Sequence, residues 1–284
     1  MEIINRRQRM SSLARKLRRE GKSVGFVPTM GALHAGHLAL VREARQMSDV
    51  VIVSIFVNPT QFNEQKDFDK YPRDITHDAS LLADYQIDYI FAPDVEEIYP
   101  PNFSTYVYVE GLTESLEGAS RPGHFRGVAT IVTILFNTIR PDFAFFGQKD
   151  AQQVAVISRL ARDLGFDTEI VLMPTIREET GLAMSSRNER LTPEQRAKAA
   201  VIYRALRDAK IAFRNGERNA ANLNEIVRRT LAAEPEAQIE YIAVVDAEKL
   251  EPVDKIGEKP VMIAIAARFG DVRLIDNVIV NQGT

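Results

Sequence analysis

The residues best suited to chemistry in this 284-residue sequence lie in the run Met30-Gly-Ala-Leu-His-Ala-Gly-His37. His34 and His37 are three apart, so on a helix they share one face. The positive end of the helix dipole favours neutral rings there, and each neutral imidazole donates one hydrogen bond. Gly31 and Gly36 remove the side chains that would hold a phosphate chain away from the backbone N–H groups of a helix start. Preorganised donors of this kind stabilise charge building up on non-bridging oxygens at a phosphorus under attack, and one such donor contributes about 3 kcal/mol in comparable sites. The glycine spacing matches neither Gly-x-Gly-x-x-Gly nor the Walker pattern with its Gly-Lys-Ser/Thr. A His-x-x-His pair also suits a metal. With no cysteine in the chain, such a site would need His77, His124 or carboxylates as further ligands, and nothing in the sequence places them. Asp78 is the candidate magnesium-side carboxylate, weighed against the solvated faces where most acidic residues sit.

The elements that would position these residues follow from periodicity. Apolar runs of strand length alternate with helix-period segments through the first ~175 residues, the pattern of βαβ units around a parallel sheet buried on both faces. Strands are predicted at Val24–Val27, Val50–Phe56, Asp88–Phe91, Asp142–Phe145 and Thr168–Val171, with helices at His37–Met47, Thr76–Tyr85, Val128–Ile139 and Asp150–Leu164. The histidine run therefore falls at the carboxyl end of the first of these strands, where open α/β sheets bind ligands. After Pro174 the texture turns Ala-, Arg- and Glu-rich. Thr192-Pro-Glu-Gln195 is a helix start, with a threonine cap, proline at the first position and glutamine at the third. Helices Pro193–Arg214 and Ala221–Ala232 and strands Ile239–Val245, Val261–Arg268 and Val272–Val280 are expected there. The fold class is thus α/β: residues 1–175 as a Rossmann-like parallel-sheet domain, residues 176–284 as a smaller α+β domain.

Charge and composition close off other classes. With 36 basic and 39 acidic residues the net charge is -3, so no global positive field exists to hold nucleic acid. The absence of cysteine removes disulfides, thiolate zinc sites and a cysteine nucleophile. The N-terminus becomes a basic helical stretch from Ser11 to Glu20 without the apolar core of a signal peptide, and the longest apolar runs fall far short of a bilayer span. The expectation is a cytoplasmic protein with no membrane partner.

His-x-Gly-His followed far downstream by a Lys-Met-Ser-Lys-Ser-like loop is the paired signature of the nucleotidylyl-transferase and class I aminoacyl-tRNA synthetase superfamily, and Met184-Ser-Ser-Arg-Asn188 resembles its second half. Phe26 to His37, Ser54-Ile-Phe-Val-Asn-Pro-Thr-Gln-Phe62, Glu117-Gly-Ala-Ser-Arg-Pro-Gly-His-Phe-Arg-Gly-Val128, Phe146-Gly-Gln-Lys-Asp150 and Met184 to Asn188 follow one another as in the pantothenate synthetase (pantoate:β-alanine ligase) family. The resemblance runs through to Leu274-Ile-Asp-Asn277, with Thr60 a small departure where relatives more often carry a bulkier apolar residue.

That resemblance implies an ATP-dependent ligase. ATP, with magnesium, would turn pantoate into pantoyl adenylate and pyrophosphate, and the amine of β-alanine would then displace AMP to give pantothenate, a coenzyme A precursor. It assigns ATP binding to Met30, Gly31, Ala32, Leu33, His34, Ala35, Gly36 and His37, to Gly147, Gln148, Lys149 and Asp150, and to Ile176, Met184, Ser185, Ser186 and Arg187. His37, His34, Lys149 and Arg187 would be the catalytic groups, with the cations and serines neutralising pyrophosphate as it leaves. Gln61, Gln153, Asn58 and Met30 would bind pantoate, since a polyhydroxy acid needs side chains that both donate and accept, with Phe56, Phe62 and Phe146 as an apolar wall. Taken singly, Gln61 also suits a turn cap, Lys149 and Asp150 a helix start, and the phenylalanines plain core. The first domain would bind ATP and pantoate, the second would act as a lid, and the chain would form a homodimer. The role of Arg121 to Arg126 is left open. Another small-carboxylate adenylyl transferase and a catalytically silent nucleotide-sensing protein are the alternatives.

Overall fold

The computed structural model describes residues 1–63 and 65–281. Its chain divides into two compact units, one made of Met1–Gly147 and Val156–Met173, the other of Gln148–Ala155 and Pro174–Thr284. The division near Pro174 lies where the composition changes, whereas the short excursion of 148–155 into the second unit has no compositional mark.

The first unit is built on six parallel strands: β1 (Glu2–Ile4), β2 (Val24–Thr29), β3 (Val50–Ile55), β4 (Tyr89–Phe91), β5 (Phe143–Gly147) and β6 (Glu169–Met173). Their order is β1-β4-β3-β2-β5-β6, so the direction of winding reverses between β2 and β5. Ligands bind at such a switch point, outside the carboxyl ends of the strands. β2 and β3 are buried almost throughout, as continuous apolar runs covered on both faces must be. Val27, Val51, Val53, Ile90 and Phe145 pack with Leu40, Val41 and Ala44 of the helix Ala35–Met47. Elsewhere in this unit Phe26 meets Phe136 of the helix His124–Ile139 edge to face, with ring centroids 6.4 Å apart. The expected α/β class is the class found. The sequence pattern missed β1, which has three residues of which only Ile4 is buried.

The second unit holds an antiparallel sheet, β7 (Gln238–Asp246), β8 (Val261–Phe269) and β9 (Val272–Val280), in that order. Ile263, Ile265, Ala267 and Phe269 present one face of β8 to Leu206, Leu223 and Val227 of the helices Val201–Arg214 and Ala220–Ala232. Thr192 and Gln195 form the reciprocal cap read from the sequence, at 3.2 and 3.1 Å. The predicted single helix Pro193–Arg214 is instead two, Pro193–Ala199 and Val201–Arg214, broken at Ala200. No helix among the described residues is long and apolar enough to cross a membrane.

Candidate active site

In the first unit β2 ends at Thr29, whose hydroxyl donates to the Ser54 carbonyl at 2.7 Å and accepts from the Gly31 N–H at 3.1 Å. The chain then passes through two left-handed residues, Gly31 at φ 80° and Ala32 at φ 51°. The second costs roughly 1 to 2 kcal/mol for a residue with a Cβ, so something must hold it. Asp78, on the helix Ile75–Leu82, does so: its Oδ2 accepts from Ala32 N–H at 3.1 Å and its Oδ1 from Leu33 N–H at 2.9 Å. A Cβ on Gly31 would sit 2.8 Å from Asp78 Oδ2, which ties glycine to that position. The magnesium-side role expected for Asp78 does not describe this geometry. Its residue is 2% exposed and both oxygens are committed to backbone amides, so it anchors the loop.

His34 is the N-cap of the helix Ala35–Met47, and its Nδ1 accepts from Gly36 N–H at 3.1 Å. His37, in the third helical position, accepts from the His34 N–H through its own Nδ1 at 3.3 Å. A backbone N–H can only donate, so neither Nδ1 carries a proton in these bonds, and the neutral rings hold theirs on Nε2. The rings lie 4.1 Å apart and tilted by 32°. One arrangement therefore caps the helix and leaves the proton of each neutral ring on Nε2. The two meanings of the sequence pattern, helix cap and phosphate ligand, are compatible because each uses a different ring nitrogen.

Asn58 caps the 3₁₀ turn Pro59–Gln61 and is fully buried. Its Nδ2 donates to Gly127 O at 3.1 Å, while its Oδ1 accepts from the hydroxyls of Thr60 at 2.9 Å and Tyr99 at 2.8 Å. Burial, opposed by the Thr60 and Asn58 hydrogen bonds, pushes the Tyr99 phenol up. Asn58 thus builds the turn from inside. The same turn carries Gln61, 8% exposed, whose carbonyl accepts from Arg121 Nη2 at 3.2 Å and from His124 Nδ1 at 2.9 Å. Because the guanidinium Nη1 beside His124 Nε2, at 3.1 Å, can only donate, Nδ1 is the protonated nitrogen of that ring. The Arg121 to Arg126 segment, left open by the sequence, grips the Gln61 main chain. Among the described residues no protein group hydrogen-bonds the Gln61 side-chain amide, which leaves it available to a ligand. Phe62 stacks edge to face on Phe68 and Tyr71, at 5.4 and 5.6 Å.

In the second unit Lys149 lies in a 3₁₀ turn, Gln148–Asp150, just before the helix Ala151–Asp163, whose first turn carries Gln153. The segment from Ile176 to Arg190 doubles back on itself: Met184 N–H reaches Ile176 O at 2.9 Å, and Glu178 N–H reaches Leu182 O at 2.8 Å. Ser185 caps the 3₁₀ turn Ser186–Arg190, accepting from Arg187 N–H at 3.3 Å. Glu178 binds this doubled-back segment to the helix after it, through Asn188 at 2.6 Å and a two-pronged pair with Arg196, both contacts at 2.9 Å. Burial works against the ionised Glu178, but these bonds outweigh it and hold its carboxyl below the usual range. Lys149, Ser185 and Arg187 line one cleft with Asp276. Cationic and hydroxyl side chains are of the kind that bind a phosphate chain.

Of the predicted residues, His34 and His37 meet in the first unit, beside the loop Gly31, Ala32 and Leu33, with Gln61 and Asn58 on a separate turn. Lys149, Ser185 and Arg187 meet in the second, to which Gln153 also belongs. Sequence reasoning passed over Arg177, Glu178, Thr60 and Tyr99 as site-building residues. Tyr99, Arg177 and Glu178 carry no local mark because each bonds a side chain 18 or more residues away, while Thr60 bonds Asn58 two residues back, within the turn itself.

Three comparisons bear on this arrangement. The family model described as pantoate-beta-alanine ligase matches residues 2–279. The pantothenate synthetase of Pelotomaculum thermopropionicum is 52% identical over 282 residues, covering 99% of this chain and all of the relative, and that of Thermotoga petrophila is 51% identical over 98% of this chain and 99% of its own. Among solved structures, the pantothenate synthetase of Thermus thermophilus aligns with a TM-score of 0.91 at 46% identity, over 98% of this chain and 99% of that one. The pantoate-beta-alanine ligase of Francisella tularensis, solved with beta-gamma ATP and beta-alanine, aligns with a TM-score of 0.81 at 36% identity, over all of this chain and 99% of that one.

Proposed function

The chain belongs to the pantoate-beta-alanine ligase family, and from that premise we propose how its residues divide the work. The protein is an enzyme that joins pantoate to β-alanine at the expense of ATP. In the first step of our reading, a pantoate carboxylate oxygen attacks the α-phosphorus of ATP. A P–O bond forms, the bond to the β-phosphate oxygen breaks, and pyrophosphate leaves with its electron pair. In the second, the β-alanine amine attacks the carbonyl carbon of pantoyl adenylate, the C–O bond to AMP breaks, and the nitrogen loses a proton.

The observation that carries this reading is the Nδ1 capping of His34 and His37, which commits both Nε2–H groups as donors. Neutral donors stabilise the oxygens of the α-phosphate as charge accumulates on them, without bringing a proton that would compete for the attacking carboxylate. Met30 and the backbone of Gly31, Ala32, Leu33, Ala35 and Gly36 border the phosphates. Lys149, Ser185, Ser186 and Arg187 take the pyrophosphate side, and Gly147, Gln148, Asp150, Ile176 and Met184 complete the nucleotide contacts. Gln61 and Gln153 receive pantoate, neutral amides that add no charge against its carboxylate, while Asn58 acts from behind by fixing the Gln61 turn.

Magnesium enters as the ion of the ATP substrate, since both oxygens of Asp78 accept backbone amides. The second unit serves as a lid, and the enzyme works as a cytoplasmic homodimer that binds neither nucleic acid nor membrane. Support for these last assignments is the family resemblance together with the balanced charge.

The test is product formation from ATP. AMP must appear only when pantoate and β-alanine are both present, and pyrophosphate must appear with pantoate alone in one burst per active site. AMP formed with pantoate and an unrelated amine would keep the adenylating step and remove β-alanine as the acceptor.

A further inference from the structure

The Leu274-Ile-Asp-Asn277 run of β9 contains two of the least exposed polar residues of the second unit. Asp276 and Asn277, consecutive on β9, are each 3% exposed. Successive strand residues face opposite ways, so burial of both means that β9 is covered on both sides here. A buried polar side chain is costly unless its atoms are bonded, and these atoms are bonded to the segments that carry the proposed phosphate ligands.

Asn277 Nδ2 donates to two main-chain carbonyls at once, Gln148 O and Lys149 O, both at 2.9 Å. Its Oδ1 faces Gln148 Nε2 at 3.5 Å. Asp276 receives Arg177 through two nitrogens, at 2.5 and 3.0 Å, and its Oδ1 also accepts the Asn277 N–H at 2.8 Å. The same guanidinium donates to Gly181 O at 3.1 Å and lies 3.8 Å over the Tyr203 ring. One dipeptide thus fastens the main chain at Lys149 and the root of the segment that leads to Arg187.

We propose that Asn277 is a positioning residue for Lys149: its two amide donors fix the turn from which the lysine reaches the ATP phosphates, while Asp276 holds the Arg187-bearing segment to the same strand. This rests on the reading that Lys149 binds ATP and names the group that sets its place. Only an uncharged amide serves at position 277. A carboxylate there keeps the shape and loses both donors, setting negative charge against two carbonyl oxygens.

The experiment is a double-mutant cycle of Lys149→Ala and Asn277→Ala in the full chain, with ATP and pantoate varied separately and Asn277→Asp as the nearly isosteric second variant should alanine fail to fold. A misplaced catalytic group loses roughly tenfold to a hundredfold. We expect such a fall in kcat/KM for ATP in both Asn277 variants, a pantoate KM changed less than about twofold, and a double mutant little worse than Lys149→Ala alone, because the residues act in series. Losses that simply add, or unchanged ATP kinetics in the Asn277 variants beside an impaired Lys149→Ala, would overturn the positioning role. Normal ATP kinetics in Lys149→Ala itself would instead remove the assignment of Lys149 on which the role is built.

Discussion

The His37 imidazole accepts the backbone N–H of His34 through Nδ1 at 3.3 Å, and the His34 ring does the same for Gly36. Structure and chemistry are therefore carried by one pair of rings, and substitution can separate them. His37→Ala removes a helix cap worth about 1 kcal/mol and a donor worth roughly a hundredfold to a thousandfold in rate. His37→Gln restores the side chain that caps best at the third position without an Nε2–H in the same place. We predict that Gln recovers the melting temperature lost in Ala and recovers little pantoate-dependent pyrophosphate release. Recovery of the rate along with the stability would show that His37 serves as a cap only.

Asp78→Asn tests the anchor of the same loop. The amide keeps one acceptor and turns an NH₂ toward a backbone N–H, breaking a charge-assisted bond that contributes about 1.5 to 3 kcal/mol. Ala32, held at φ 51°, then relaxes and carries the histidines with it. We predict lower stability and a kcat reduced roughly tenfold or more at every magnesium concentration. Rescue by excess magnesium would mean that Asp78 is a ligand to the ion after all.

Gly127 lies in the helix His124–Ile139, and a Cβ there would fall 2.4 Å from Thr60 O and 2.6 Å from Thr60 C. Gly→Ala inside a helix ordinarily stabilises by up to about 1 kcal/mol. Here the collision is with main chain, in the turn that carries Gln61. Gly127→Ala should destabilise the protein and raise KM for pantoate roughly tenfold or more, with KM for ATP at saturating pantoate little changed. A more stable variant with normal pantoate kinetics would contradict the placement of Gln61 in the pantoate site.

Much of this was legible in the sequence. Val50–Phe56 announced itself as a strand because burial on both faces leaves a long apolar run, and Val272–Val280 did so through its β-branched residues at either end of Asp276 and Asn277; the structure places β3 and β9 within a residue of them. The break at Ala200 was not legible, since the apolar spacing continues across it. His34 and His37 were found because their partners are two and three residues away. The backbone contacts of Asp78 were not legible because its partners, Ala32 and Leu33, are 46 and 45 residues distant, and Asn277 had no visible purpose because its partner carbonyls lie 129 and 128 residues away. A polar side chain advertises its chemistry in sequence. Whether it spends that chemistry on a ligand or on the fold depends on which backbone groups tertiary folding leaves for it to satisfy.

Glu178 supplies the last prediction. Burial disfavours its charge, and the hydrogen bonds from Arg196 and Asn188 more than compensate, so its folded-state pKa is lowered. A carboxyl with a depressed folded value binds fewer protons folded than unfolded over the interval between the two values. Its contribution is complete above the unfolded value, about 4.3, and is lost as pH falls through the lowered one. The bonds it makes secure the segment that bears Ser185 and Arg187. Glu178→Gln keeps the shape and removes the charge, so its cost in stability, about 1 to 2 kcal/mol for charge-assisted bonds, should be present at neutral pH and shrink on the acid side of pH 4. Denaturant melts of both proteins between pH 3 and 7 measure this directly. A stability difference that stays constant through that range would mean that the Glu178 charge adds nothing that its shape and neutral hydrogen bonds do not already provide.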